Sequence, residues 1–165
     1  LYDKGIATSS MSKVYSMAGT RVGWAVTRDK MAYDILENRR SYDSICNGVF
    51  DELIAAIALE NNDKMLERAR AIVRPNKKIA DDWIAAQPHL SVYGESLTTT
   101  VLVHYDYDID EVDLCTDIYE KTGVLLCHGD CFEEKKCFRL GYGFGDTKLL
   151  RDGLSELGKY LDSLG

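Results

Sequence analysis

The sequence predicts an α/β fold, in which short strands and amphipathic helices follow one another along the chain. Two observations support this prediction: short apolar runs rich in β-branched residues, and longer stretches in which apolar residues recur every three or four positions. The chain has 165 residues, enough for one ordinary domain or for a small domain and part of another. Apolar residues make up 45% and charged residues 28%, which is typical of a soluble globular protein.

The first part of the chain is expected to contain one strand and two helices. Residues 21–27 indicate a buried strand, with Gly23 where something packs closely. A helix is predicted from residue 29 to about 45, with Asp29 in a good capping position. Residues 49 to about 61 form a strongly apolar stretch and predict a second helix.

A long helical stretch follows, from residue 62 to about 86, and it could connect two domains. Pro75 interrupts it. A proline inside a helix costs about 3 kcal/mol, because it lacks an N–H and its ring clashes with the preceding turn. We therefore expect a kink or a break at this position.

The last part of the chain is expected to form a small α/β layer. Strands are predicted at residues 90–93, 98–104, 124–127 and 137–143. A helix is predicted from residue 110 to about 122, with Asp110 as its cap and Gly123 as its stop. Another is predicted from residue 146 to about 164, with Asp146 as its cap.

One lysine lies in a serine-rich loop, and an arginine follows it at the start of an apolar strand. The residues concerned are Ser10, Ser12, Lys13 and Arg21. Hydroxyls, loop N–H groups and a guanidinium fork together suit a phosphate dianion. A lysine amine, once deprotonated, can attack a carbonyl. Taken alone, this set would suit any phosphate.

The order of these residues resembles the signature of class I/II pyridoxal-phosphate (PLP)-dependent aminotransferases, which have fold type I. In that signature Ser-x-Ser/Ala-Lys is followed, after five residues, by Gly-x-Arg-x-Gly and an aromatic residue. The matching positions are Ser10, Ser12, Lys13, Gly19, Arg21, Gly23 and Trp24. The resemblance extends over the whole chain and implies the C-terminal portion of such an enzyme, incomplete and inactive alone. It implies that residues 1–60 end the cofactor-binding large domain, 61–87 form a connecting long helix, and 88–165 form the small C-terminal α/β domain.

The resemblance also implies a role for each candidate site residue. Lys13 would bond the cofactor aldehyde and serve as the catalytic acid–base group. Ser10 and Arg21 would bind the cofactor phosphate, and Ser12 would shape the same loop. Arg139, within Phe-Arg-Leu-Gly-Tyr, resembles the arginine that grips the substrate α-carboxylate.

The implied activity is transfer of an amino group between an amino acid and a 2-oxo acid, by a cytoplasmic homodimer with PLP as cofactor. A PLP-dependent lyase or decarboxylase of the same fold is one alternative. An aminotransferase-like sensor domain of a transcription regulator is another. Residues 127–132 depart from the Pro-Gly-Ser-like turn common in the family, and this departure concerns substrate specificity.

Other classes of site are not favoured by the sequence. Cys127, His128, Cys131 and Cys137 include zinc-type ligands but no paired C-x₂-C knuckles, so no metal is expected. The net charge is −7 without a long basic block, which argues against nucleic-acid binding. No apolar run approaches the ~18 residues of a membrane span. The five cysteines and the absence of a secretion signal indicate free thiols in a reducing compartment.

Overall fold

The computed structural model describes residues 3–165, which fall into two compact units. The boundary lies between Arg70 and Ala71. The α/β class is confirmed, since helices and strands occur in both units. None of the helices in the part of the chain described is long and apolar enough to cross a membrane.

The first unit contains a two-stranded antiparallel ribbon and helices. Its strands are β1 (Ile6–Ser10) and β2 (Gly23–Thr27), paired from Ile6 opposite Thr27 to Ser10 opposite Gly23. Helices α1 (Lys30–Asp43) and α2 (Val49–Glu60) follow. The Asp29 carboxylate caps α1, as predicted, by accepting hydrogen bonds from the backbone N–H groups of residues 31 and 32. This cap satisfies N–H groups that have no partner within the helix.

The expected buried strand at residues 21–27 is wrong in two respects. The strand begins at Gly23, because Arg21 has a left-handed backbone with φ of 52°. Most of β2 is exposed. Within residues 3–165 the ribbon has only two strands, so neither of its edges is covered by another strand.

A kink or a break was expected at Pro75; helix α3 (Asn62–Ala85) is continuous through the proline, so no break occurs there. The residues after the proline explain this outcome: Asn76, Ala80 and Ile84 are all buried. Their packing within the second unit offsets the hydrogen bond that proline removes from the helix.

The second unit holds a four-stranded antiparallel sheet of strand order β3-β4-β6-β5. Its strands are β3 (Leu90–Ser91), β4 (Thr100–Tyr105), β5 (Cys127–His128) and β6 (Cys137–Gly141). Its remaining helices are α4 (Glu111–Thr122) and α5 (Thr147–Asp162). Asp110 and Asp146 cap them, and Gly123 ends α4 in the left-handed conformation, as predicted.

Two predicted strands are shorter than the sequence indicated. Strand β3 covers only Leu90–Ser91 of the predicted residues 90–93, and β5 covers only Cys127–His128 where residues 124–127 were predicted. Only Cys127 and His128 pair in β5, although Val124 and Leu126 pack against the core of the unit. Their apolar side chains are therefore explained by burial within a loop, and not by pairing in a sheet. The core is centred on β4, β6, α4 and α5 and includes Val103, Leu114, Ile118, Phe138, Tyr142, Leu157 and Leu161.

Candidate cofactor and substrate sites

The predicted phosphate-binding residues lie at one end of the β1–β2 ribbon. Ser10 ends β1, and Arg21 lies two residues before β2 begins at Gly23. The loop formed by residues 11–22 therefore returns to the ribbon end from which it leaves. The Ser10 hydroxyl accepts a hydrogen bond from the Ser12 N–H at 3.4 Å, and its own hydrogen remains available for a ligand.

Met11 anchors this loop on the core of the first unit. Its side chain is fully buried and packs with Ala55 and Ala58 of α2. Its backbone N–H donates to the carbonyl of Val22 at 3.0 Å, and its carbonyl accepts from the N–H of Met17 at 3.0 Å. Both ends of the loop are therefore held together at a buried residue.

Lys13 lies on a tight turn of the anchored loop and is exposed. Its carbonyl accepts a hydrogen bond from the Ser16 N–H at 3.1 Å, and Ser16 has a positive φ of 57°. Tyr15 points inward, and its hydroxyl donates to Asn62 Oδ1 at 2.9 Å. The loop thus presents the lysine amine to solvent while its neighbours are held by the protein.

Arg21 is oriented by its own backbone. A 3-10 helix, Ala18–Thr20, precedes it, and one guanidinium nitrogen, Nη1, donates to the Ala18 carbonyl at 2.8 Å. In the part of the chain described, no carboxylate forms a salt bridge with Arg21. Its other guanidinium N–H groups therefore remain free for an anion.

Gly23 is required by the close approach of the two strands. A Cβ at this position would lie 3.0 Å from the Ser9 carbonyl oxygen and 3.2 Å from Ser10 Cβ. The neighbouring Gly19, by contrast, has open space around the position of a Cβ. The hydroxyl, loop N–H groups, guanidinium and lysine amine are together the donor set that a phosphorylated aldehyde requires.

Arg139 lies in the second unit, on the exposed face of β6. It pairs with Leu102 of β4 on one side and with Cys127 of β5 on the other. Its guanidinium carbon lies 5.2 Å from the centre of the Phe132 ring, a cation–π contact. Among residues 3–165 its guanidinium makes no hydrogen bond or salt bridge, so the fork is free to bind a carboxylate.

Phe132 belongs to a 3-10 helix, Gly129–Phe132, that an ion-pair network holds in place. Lys135 Nζ donates to Glu111 Oε1 at 2.6 Å and to Asp130 Oδ1 at 3.0 Å. The Lys136 N–H donates to Glu111 Oε2 at 3.3 Å. The hydrogen bond from Lys135 is the main cause that lowers the pKa of Glu111 below its ordinary value.

This support for Arg139 could not be predicted from the sequence. Lys135 reaches Glu111, which is only 2% exposed. Nothing in the local sequence indicates a pairing between positions so far apart. Within residues 3–165, no group of three or more His, Cys, Asp or Glu side chains is arranged to hold a metal ion.

The loop motif and the two units together define a class of protein. The sequence pattern of the family described as aminotransferase class I and II matches residues 2–157. The chain belongs to this family. The resemblance inferred from the lysine loop is thereby confirmed. The predicted fold is also confirmed, because the structure matches those of fold type I aminotransferases.

Particular relatives place the chain within the family. A PLP-dependent aminotransferase from Streptococcus suis is 38% identical, with a TM-score of 0.92 over 99% of this chain and 43% of that one. Capreomycidine synthase from Streptomyces vinaceus is 25% identical over 96% of this chain and 41% of its own length. An aspartate aminotransferase from Streptomyces avermitilis is 26% identical over 98% of this chain and 41% of its own length. The chain therefore spans less than half the length of these relatives.

Proposed function

We propose that this chain is part of a PLP-dependent aminotransferase that transfers an amino group between an amino acid and a 2-oxo acid. The observation that carries the proposal is the lysine loop: an exposed Lys13 on a loop anchored at Met11 and closed by Ser10 and Arg21. Membership of the aminotransferase family supports the same reaction class.

The residues of the loop fit the two chemically distinct ends of PLP. Ser10 and Arg21 would hold the phosphate, with Ser12 supporting the Ser10 hydroxyl through its N–H. Lys13 would bond the aldehyde carbon through Nζ. When bound, the cofactor supplies an electron sink for charge that develops at the substrate α-carbon. The freed Lys13 amine would then take the proton from that α-carbon and return it during transfer.

Arg139 would bind the substrate α-carboxylate. A guanidinium fork meets a carboxylate through two parallel N–H···O bonds, which sets the orientation of the bound molecule as well as its affinity. The Phe132 ring beneath the guanidinium restricts the directions in which the fork can point. The orientation of the carboxylate in turn decides which bond at the α-carbon is labilised.

The first experiment tests the bond to Lys13. The complete enzyme of which this chain is proposed to be part is incubated with PLP, reduced with borohydride and digested, and the modified lysine is located by mass spectrometry. We expect the reduced cofactor on Lys13 and no specific adduct in Lys13→Ala. Lys4→Ala is the matched control, because Lys4 is also exposed but lies outside the motif. An adduct that persists in Lys13→Ala would refute the assignment.

The second experiment tests Arg139 by steady-state kinetics of transamination in the complete enzyme of which this chain is proposed to be part. Lysine retains the charge but not the fork, so Arg139→Lys removes one charge-assisted hydrogen bond, about 1.5–3 kcal/mol. We expect kcat/KM to fall by about 10- to 150-fold. Arg151→Lys is the control, since Arg151 is an exposed arginine of α5. Equal effects of the two substitutions would contradict the role of Arg139.

A different reaction of the same cofactor is the second candidate. It is favoured by the similarity to capreomycidine synthase, a relative that is not named as an aminotransferase. The assay that separates the two candidates omits the 2-oxo acid. Turnover of an amino acid without a 2-oxo acid would favour elimination or cyclisation, whereas strict dependence on it supports transamination.

The family resemblance extends the proposal to a cytoplasmic homodimer. Sedimentation equilibrium tests the oligomeric state: twice the protomer mass is expected, and a concentration-independent monomer would contradict it. Immunofluorescence in the source cell tests the location, and a signal confined to a membrane or to a secreted fraction would contradict it.

A further inference from the structure

The side chain of Tyr15 links the lysine loop to a distant part of the first unit. Its hydroxyl donates a hydrogen bond to Oδ1 of Asn62 at 2.9 Å. Asn62 lies 47 residues further along the chain and is the first residue of α3. The ring of Tyr15 is half-buried and packs against the buried cluster of this unit, which comprises Met11, Ala55 and Ala58. The position two residues after Lys13 is therefore joined to the start of a long helix.

The turn that carries Lys13 has a strained backbone. Ser16 has a φ of 57°, in the left-handed region that residues with a Cβ rarely adopt. One backbone hydrogen bond, from the Ser16 N–H to the Lys13 carbonyl at 3.1 Å, closes the turn. A strained backbone persists where the surrounding structure holds it, and such strain is common at functional sites. The turn therefore depends on contacts outside itself, and the hydrogen bond from Tyr15 is one of these contacts.

The hydroxyl of Tyr15, and not its ring, distinguishes positioning from simple packing. A phenylalanine ring would fill the same space against Met11. The hydroxyl of a half-buried tyrosine needs a polar partner, and its hydrogen bond has a direction that apolar packing lacks. The partner is itself oriented, because Asn62 Nδ2 donates to Asp63 Oδ1 at 3.4 Å. The hydrogen bond between Tyr15 and Asn62 thus restricts the turn in a way that the ring alone would not.

We propose that Tyr15 is a positioning residue for Lys13: its hydrogen bond to Asn62 holds the turn that presents the lysine amine to the cofactor aldehyde. A loop that is already ordered loses less conformational entropy on binding, so the cofactor binds more tightly. Without the hydrogen bond the turn would sample other conformations, and the measured affinity would fall with the fraction of molecules in the competent one. The inference rests on the proposed role of Lys13 as the residue that bonds the cofactor.

The first test measures the dissociation constant of PLP by equilibrium dialysis, in the complete enzyme of which this chain is proposed to be part. Tyr15→Phe removes the hydroxyl and keeps the ring, so we expect the dissociation constant to rise about two- to tenfold, the equivalent of one net hydrogen bond. Asn62→Ala should have the same effect, whereas Asn62→Asp keeps an acceptor oxygen and should retain the wild-type value. Tyr42→Phe is the matched control, because Tyr42 is 80% exposed on α1.

A variant that combines Tyr15→Phe with Asn62→Ala tests whether the two side chains act through one hydrogen bond. If they do, its dissociation constant should equal that of either single variant. A dissociation constant raised by the product of the two single effects would overturn the proposal. So would a wild-type affinity in Tyr15→Phe, because that result is expected of a tyrosine that only packs against the core.

Hydrogen exchange in the same enzyme without cofactor separates failure of this inference from failure of the proposed function. The N–H groups of Ser16 and Met17 donate to carbonyls within the loop, so their exchange reports its opening. We expect faster exchange of both in Tyr15→Phe than in Tyr42→Phe, and equal exchange would show that the hydrogen bond does not order the loop. Faster exchange in an enzyme that forms no bond between PLP and Lys13 would refute the proposed role of Lys13, and the positioning role with it.

Discussion

Replacement of Asn76 by alanine should destabilise the second unit. Asn76 is a fully buried polar residue of α3. Its Nδ2 donates to the carbonyls of Tyr142 at 3.2 Å and Phe144 at 2.6 Å, and its Oδ1 accepts from Thr147 Oγ1 at 2.9 Å. One side chain therefore joins α3 to the segment after β6 and to the first residue of α5.

The size of the effect follows from these three hydrogen bonds. Each contributes about 0.5–1.5 kcal/mol net, so their loss amounts to roughly 1.5–4.5 kcal/mol. A buried carbonyl left without a partner costs more than an exposed one. Tyr142 is fully buried, whereas Phe144 is 39% exposed, so loss of the hydrogen bond to the Tyr142 carbonyl costs more. We therefore expect Asn76→Ala to lower the free energy of opening by about 3 kcal/mol.

Native-state hydrogen exchange of the β6 amides (Cys137–Gly141) measures this free energy within the second unit. Asn61→Ala is the matched control, because the Asn61 side chain makes one hydrogen bond, to the Ile57 carbonyl, at an exposed site. The control should change the opening free energy by less than about 1 kcal/mol. If Asn76→Ala also costs less than about 1 kcal/mol, the reasoning that this network ties the unit together is refuted.

Three further predictions concern the two sites. Gly23→Ala should lower the free energy of unfolding by about 1–3 kcal/mol, because the added Cβ would press on the backbone of β1. Gly19→Ala, where a Cβ meets open space, should change it by less than about 0.5 kcal/mol. Equal free energies of unfolding for the two variants in urea titrations would contradict this reasoning. The folded pKa of Glu111 lies below its ordinary value of 4.5, so its contribution to stability is complete above that pH and is lost as pH falls through the folded pKa. The stability difference between wild type and Glu111→Gln should therefore shrink in thermal melts below pH 4.5, and a constant difference would count against the ion pair. Phe132→Leu should raise KM for the amino acid about two- to fivefold, the equivalent of about 0.5–1 kcal/mol of cation–π contact with Arg139, with little change in kcat.

Local chemistry explains which elements were predictable. The helix caps at Asp29, Asp110 and Asp146 and the stop at Gly123 were all predicted correctly. Each of these residues acts on backbone groups within three residues of itself or through its own φ angle, so neighbouring sequence is sufficient to predict it. The motif around Lys13 was recognisable for a related reason, because its spacing lies within a single loop.

Elements that depend on distant contacts were predicted less well. Pro75 was expected to interrupt α3, but buried side chains of the following turns hold the helix together. Residues 124–127 were expected to form a strand, yet Leu126 is buried and Val124 is half-buried within a loop. In both cases the residue type is compatible with two local structures. Packing against other elements decides which of the two forms.

The sequence by itself determined the family, the order of the elements that follow β1 and the residue types proposed for the cofactor and the substrate. These properties depend on residue identity and short spacing, which are written in the chain. Only the tertiary structure showed that Met11 anchors the lysine loop and that Phe132 lies against Arg139, held by Glu111 and Lys135. Such contacts join residues far apart in the sequence, and they exist only once burial of the core has brought separate elements together.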